Sequence, residues 1–238
     1  MEKCLYFNGH SCHEFCAHIE HKPDIPVPER KYEEYEVPGR NGKLHADQGY
    51  YGNITISYQL YFHGRRPTAE WAQAVKQWFL GEPGAHVLSD DYFPGMFYNA
   101  VAKVGGISNI LDKYGRFTVE FDCDPRHFLQ EAQTPVELTN GQTLFNPYQQ
   151  TAAPYFELTG TGAEAQLVVN GTTFVVQTYA DKKIICDADN WGNAYLEDGT
   201  NVNLRTGGIW PELAPGENKI SWTDGITSVT MAPRWWTL

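Results

Sequence analysis

Long apolar runs are missing from this 238-residue chain: nowhere do about 18 hydrophobic residues follow one another, which argues against a helical membrane span. Met1-Glu2-Lys3-Cys4 enters directly into mixed polar sequence without the basic-then-apolar order of an export signal, so synthesis in a cytosol is expected. Cysteine is sparse and odd in number (Cys4, Cys12, Cys16, Cys123, Cys186), with no regular spacing. A disulfide framework is therefore not expected in a chain long enough to build a core, and free buried thiols are. Clustered basic charge is missing too. Residues 1–132 carry 13 basic and 18 acidic side chains and residues 133–238 carry 5 and 11, so both halves share in the net charge of −11. That balance offers no face for gripping nucleic acid, though DNA could slide past an acidic surface without sticking. Histidine does not occur at all in residues 133–238.

Catalytic signatures are equally scarce. There is no G-x-S-x-G elbow, no H-E-x-x-H and no G-x-x-x-x-G-K-[ST] loop. Gly105-Gly106 and Gly207-Gly208 are isolated doublets that read as turns or bulges. No repeat of 20–50 residues points to a solenoid or propeller. Neither an enzyme nor a cofactor is expected.

What the chain does have is β grammar and enough apolar residues, 42% with 14% aromatic, for one large or two small domains. Cys4–Phe7 and Phe15–Ile19 read as strands joined around Asn8-Gly9. Pro23, Pro26 and Pro28 mark an extended connection. Tyr32 to Val37 runs into Val37-Pro38-Gly39-Arg40-Asn41-Gly42, a strand entering a fixed turn. Asn53–Phe62 is the clearest strand, with Ile54, Ile56, Tyr58, Leu60 and Phe62 on one face. One helix is expected from about Pro67 to Leu80, capped by Thr68 and stopped at Gly81. Its Trp71, Val75, Trp78 and Phe79 form one apolar stripe, to cover a sheet or a neighbouring subunit. Strands follow near Val87–Leu88 and Phe97–Val104. In Gly115–Pro125, Phe117, Val119, Phe121 and Cys123 alternate with polar residues up to a proline stop.

Residues near Pro125 to Pro135 read as a connection between domains at 1–132 and 133–238. Beyond it come Tyr155–Thr159, Ala165–Val169 and Thr172–Thr178, the last two joined by the hairpin signal Asn170-Gly171. Lys183–Cys186, Ala194–Leu196, Lys219–Trp222 and Ser228–Met231 complete a short-strand rhythm that points to a sandwich.

Three groups of side chains carry chemical potential. Asp90-Asp91 and Asp122/Asp124 could be paired acids, but neighbours on a strand face apart, and Asp122 and Asp124 sit at a strand end. Trp191, Tyr195, Trp210, Trp222, Trp235 and Trp236 could stack on sugar rings or simply pack. His10, Cys12, His13, Cys16, His18 and His21 form a thiol- and imidazole-rich stretch. Read as a strand, it places positions 12, 16 and 18 on one face and 13 and 21 on the other, and no second ligand pair follows at zinc-finger spacing; no metal is expected.

Taken in order, Tyr6-Phe7-Asn8-Gly9, Val37–Gly42, the helix ending Trp78-Phe79-Leu80 and Leu88-Ser89-Asp90-Asp91 resemble the distal tail protein family of long, non-contractile-tailed bacteriophages. Asn146-Pro147, Ala153-Pro154 and Pro215-Gly216-Glu217-Asn218-Lys219-Ile220-Ser221-Trp222 continue that resemblance. It implies a mainly β chain, with an N-terminal β-sandwich or ring domain carrying one helix and a C-terminal galectin-like β-sandwich. It implies a homohexameric ring at the virion tail tip, made in the bacterial host cytoplasm. Partners would be the major tail tube protein, a tail-associated hub protein and a receptor-binding protein, with DNA passing through the ring. A galectin site would need a histidine that the C-terminal half lacks, so the fold implies no galectin activity. The competing expectation is a carbohydrate-binding module for host-surface adhesion.

Overall fold

The computed structural model describes residues 2–63, 68–111, 113–189 and 191–238. Two compact units emerge, Met1–His127 with Leu238, and Phe128–Thr237. Both are mainly β.

In the first unit the strands are β1 (Leu5–Phe7), β2 (His10–Ser11), β3 (Ala17–Ile19), β4 (Arg30–Glu36), β5 (Lys43–Tyr51) and β6 (Ile54–His63). Helix α1 (Thr68–Leu80) follows, then β7 (His86–Asp90), β8 (Met96–Val104), β9 (Ser108–Leu111) and β10 (Tyr114–Cys123). The main sheet runs β2-β1-β7-β8-β10-β6-β3, with β9 added on β10. Its spine is the long antiparallel pair β6 and β10, in unbroken register from Tyr114 opposite His63 to Cys123 opposite Ile54. Strict alternation makes this possible: Ile54, Ile56, Tyr58, Leu60 and Phe62 are buried, as are Phe117, Val119, Phe121 and Cys123.

The helix stripe closes over that face. Trp71, Val75, Trp78 and Phe79 are all buried in the same cluster as the sheet residues. The Trp78 ring stacks on Phe15 at 4.5 Å, and its indole N–H donates to the Phe7 carbonyl at 2.9 Å. Phe79 meets Phe7 and Phe121 at 5.7 and 5.9 Å between ring centres. Each such side chain contributes about 1.5–3 kcal/mol by leaving water. Trp71 and Trp78 are thus core residues and not subunit-interface material. The helix ends at Leu80, where the Gly81 amide still reaches the Gln77 carbonyl at 2.9 Å. Its expected start at Pro67, and the Thr68 side chain expected to cap it, lie outside the described residues.

The opening hairpin differs from expectation. Asn8-Gly9 does turn the chain, with both residues at positive φ, but it joins β1 to β2. Residues 12–15 form a single 3₁₀ turn instead of continuing a strand, and Ala17–Ile19 pairs with β6 at the other end of the sheet. The turn wins because Glu14 reaches back to accept the Ser11 amide at 2.8 Å, while Cys16 caps it at φ 49°.

The second unit is a two-sheet sandwich. After β11 (His127–Leu129), at the division between the units, come β12 (Val136–Leu138), β13 (Thr143–Asn146), β14 (Tyr155–Gly160), β15 (Glu164–Val169) and β16 (Thr172–Gln177). Then follow β17 (Ile184–Asp187), β18 (Asn193–Leu196), β19 (Thr206–Gly208), β20 (Gly216–Trp222), β21 (Ile226–Ala232) and β22 (Trp236–Thr237). One sheet is β12-β21-β14-β17-β18 and the other β13-β20-β15-β16-β19. Phe156, Leu158, Ile184, Val229 and Met231 from the first share a core with Leu167, Val169, Phe174, Val176 and Ile220 from the second. The Asn170-Gly171 hairpin forms as expected, with φ of 52° and 84°. Its Asn170 amide donates to the fully buried Asn218 side chain at 2.8 Å, and Asn218 in turn donates to the Ala214 and Gly216 carbonyls. Three hydrogen bonds satisfy this one asparagine on both its oxygen and its nitrogen, the condition for burying it. Gly207-Gly208 belongs to β19, where a side chain at Gly208 would meet the Thr173 carbonyl.

Candidate functional site

The acids considered as catalytic pairs are engaged elsewhere. Asp90 accepts hydrogen bonds from the Tyr58 hydroxyl at 2.5 Å and from the Tyr92 and Phe93 amides, anchoring the turn after β7. Asp91 accepts the Cys4 amide at 2.9 Å, so the two carboxylates point to different work. Asp122 is held by Asn53 and lies 3.6 Å from the Lys103 ammonium, whereas Asp124 is chelated by Arg126. Each of the four carboxylates is thus taken up by its own local contacts.

The aromatics of the second unit do not assemble a platform. Trp235 is buried, while Trp210, Trp222 and Trp236 pack against the core. Tyr195 is half-buried, and only Trp191 of the set stands fully exposed.

One element does stand uncovered. β4 and β5 form a two-stranded sheet of their own, and nearly all of their residues are exposed. β4 and its turn are legible in the sequence: Gly39 and Gly42 take φ of 83° and 82°, and the Arg40 amide closes on the Val37 carbonyl at 3.1 Å. The returning strand β5 was not expected, because Lys43–Tyr51 hardly alternates. The fixed turn was the available signal, since a reversed chain needs a strand to pair with.

Register sorts the ribbon into two faces. Glu33 lies opposite Ala46 and Tyr35 opposite Leu44, so these four share one side. Tyr32, Glu34 and Glu36 share the other with Lys43, His45 and Asp47. The second face is complete in itself. Lys43 bonds Glu34 at 2.6 Å, His45 lies 3.8 Å from the same carboxylate, and the Tyr32 and His45 rings meet edge-on. Beside it, Arg30 grips Asp47 with two hydrogen bonds of 2.8 and 2.5 Å and lies over the Tyr51 ring. Hydrogen bonds from Arg30 and then from the Gly49 amide hold the Asp47 carboxyl down at about 2. The first face has no such internal partners for Tyr35, Leu44 and Ala46 beyond one another and Glu33. Glu33 hydrogen-bonds the Tyr35 hydroxyl and raises its pKa. Ile25 and Val27 on the proline-rich approach are also exposed.

An isolated two-stranded ribbon is marginally stable in water. Here one side satisfies its charges internally, while Tyr35 and Leu44 on the other remain exposed.

The architecture, then, is a mainly β chain of two units, the first with a helix-covered sheet and a projecting ribbon, the second a sandwich. The crystal structure of the SPP1 Dit (gp 19.1) protein, titled a paradigm of hub adsorption apparatus in Gram-positive infecting phages, has the same fold, with a TM-score of 0.73 over 100% of both chains. Sequence identity is 11%, so the fold is shared while individual residues are not. The resemblance drawn from the sequence is met at the level of fold. No protein-family model and no curated protein matches the chain.

Proposed function

We propose that this chain is a structural distal tail protein of a long, non-contractile-tailed bacteriophage or prophage. It assembles as a homohexameric ring that joins the tail tube to the tail-tip hub proteins. The observation that carries this reading is the fold shared with the SPP1 Dit protein along the whole of both chains. The amphipathic β4–β5 ribbon supports it physically. A ring closed by rotation repeats one heterologous contact, and each stable contact buries more than about 1,000 Å². A projecting arm with an uncovered Tyr35–Leu44–Ala46 face is suited to supply part of that area on a neighbouring copy. The major tail tube protein, a tail-associated hub protein and a receptor-binding protein are the partners on this reading. The first unit forms the ring and the second is galectin-like, and DNA passes through without specific binding. The chain sits at the virion tail tip and catalyses nothing. No helix among the described residues is long and apolar enough to cross a membrane.

Native mass spectrometry of the purified chain tests the proposal, with a mass of six subunits expected. Tyr35→Ser with Leu44→Ser should dissociate the ring while changing subunit stability by no more than about 1–2 kcal/mol, as two exposed positions forming one cross-strand pair do. A chain that stays monomeric across the concentration range, or a ring indifferent to the double substitution, would refute assembly through the ribbon. The adhesion alternative has Trp191 as the one exposed tryptophan among the described residues, and glycan-array binding abolished by Trp191→Ala would revive it.

A further inference from the structure

The stretch from His10 to His21 has no part in ring assembly as proposed, yet its geometry is specific. A strand would turn Cys12 and His13 to opposite faces. The 3₁₀ turn over Cys12–Phe15 removes that constraint, and β1 brings Cys4 alongside from the other arm of the hairpin. One ligand atom from each of Cys4, Cys12 and His13 lies within 4.8 Å of the other two. The two thiols are buried, 2.6 Å apart, and His13 is exposed beside them. Glu2, His13 and His18 meet the same spacing. The buried His18 Nδ1 lies 2.9 Å from Glu2 Oε1, without the alignment of a hydrogen bond.

We propose that Cys4, Cys12 and His13 bind one divalent cation of the zinc class, with the fourth tetrahedral position taken by water on the exposed His13 side. Two thiolates and one imidazole, with water completing the tetrahedron, make a donor set suited to that metal. Binding releases the two thiol protons to solvent, so one cation enters as two protons leave. Metal–sulfur bonds of about 2.3 Å set two tetrahedral sulfurs about 3.8 Å apart, a spacing the two adjacent thiols adopt on binding. Exposed His13 marks the entry side. Both cysteines are free thiols here.

The test uses the full chain, purified without a metal-chelating tag, dialysed against zinc and assayed by elemental mass spectrometry. One zinc per chain is expected, together with sulfur-to-cobalt charge-transfer absorption when Co²⁺ replaces it. Cys12→Ser should abolish both signals, and His13→Gln, at an exposed position that leaves the core intact, should weaken zinc binding at least tenfold. Substoichiometric zinc, full binding by His13→Gln, or a Cys4–Cys12 disulfide in the non-reduced peptide map would each overturn the proposal.

Discussion

At the scale of single residues, His127 shows how burial turns a side chain into a pH-dependent stabiliser. Its ring stacks on Tyr98 at 4.1 Å and meets Phe93 edge-on at 5.8 Å. Burial disfavours the imidazolium and pulls the pKa down to about 4, with the Asp90 charge offsetting only part of the effect. The unfolded chain titrates this group near 6.5. Between those values the unfolded state takes up the proton first, so the contribution is complete above about pH 6.5 and is lost as pH falls towards 4. It amounts to on the order of 2 kcal/mol once the partly solvated ring edge is allowed for. Urea midpoints measured from pH 7 to pH 4 should therefore fall less steeply in His127→Gln than in the parent. Parallel curves would show that His127 is not the group responsible.

Elements depend on positions where only certain backbones are possible. Gly171 occupies φ 84° with nothing within 4 Å of where a side chain would stand, so Gly171→Ala meets strain and no collision. The expected loss is about 1 kcal/mol, read as a lower denaturation midpoint with unchanged fold. A neutral Gly171→Ala would mean that the β15–β16 hairpin tolerates another turn. The same reasoning made Gly39 and Gly42 readable, since a proline-glycine turn announces reversal in any context. It could not announce β5, whose residues are nearly all solvent-facing and so carry no alternating imprint of a core. Nor could it show that residues 12–15 leave the strand, because the Glu14 reach to the Ser11 amide competes locally with extension.

For the whole molecule, charge sets a limit on partners. A net charge of −11 repels phosphate backbones at long range. Fluorescence anisotropy of labelled duplex DNA should show no binding by the purified chain, even at low salt. Retention that weakens steeply as salt rises would reveal a basic lining and sink the picture of a duct through which DNA slides freely.

Sequence alone determined the mainly β class, the buried faces of β6 and β10, the single helix with its apolar stripe, and the Asn170-Gly171 hairpin. Each of these is written in local periodicity or in a backbone preference that a few neighbouring residues carry. Tertiary structure decided that Trp71 and Trp78 face inward, that Asp90 and Asp122 hold turns and strand ends, that the ribbon has an uncovered apolar face, and that Cys4 meets Cys12 and His13. Those outcomes depend on which distant segments become neighbours, and a tryptophan, a carboxylate or a thiol reads the same in one dimension whichever neighbour it finds.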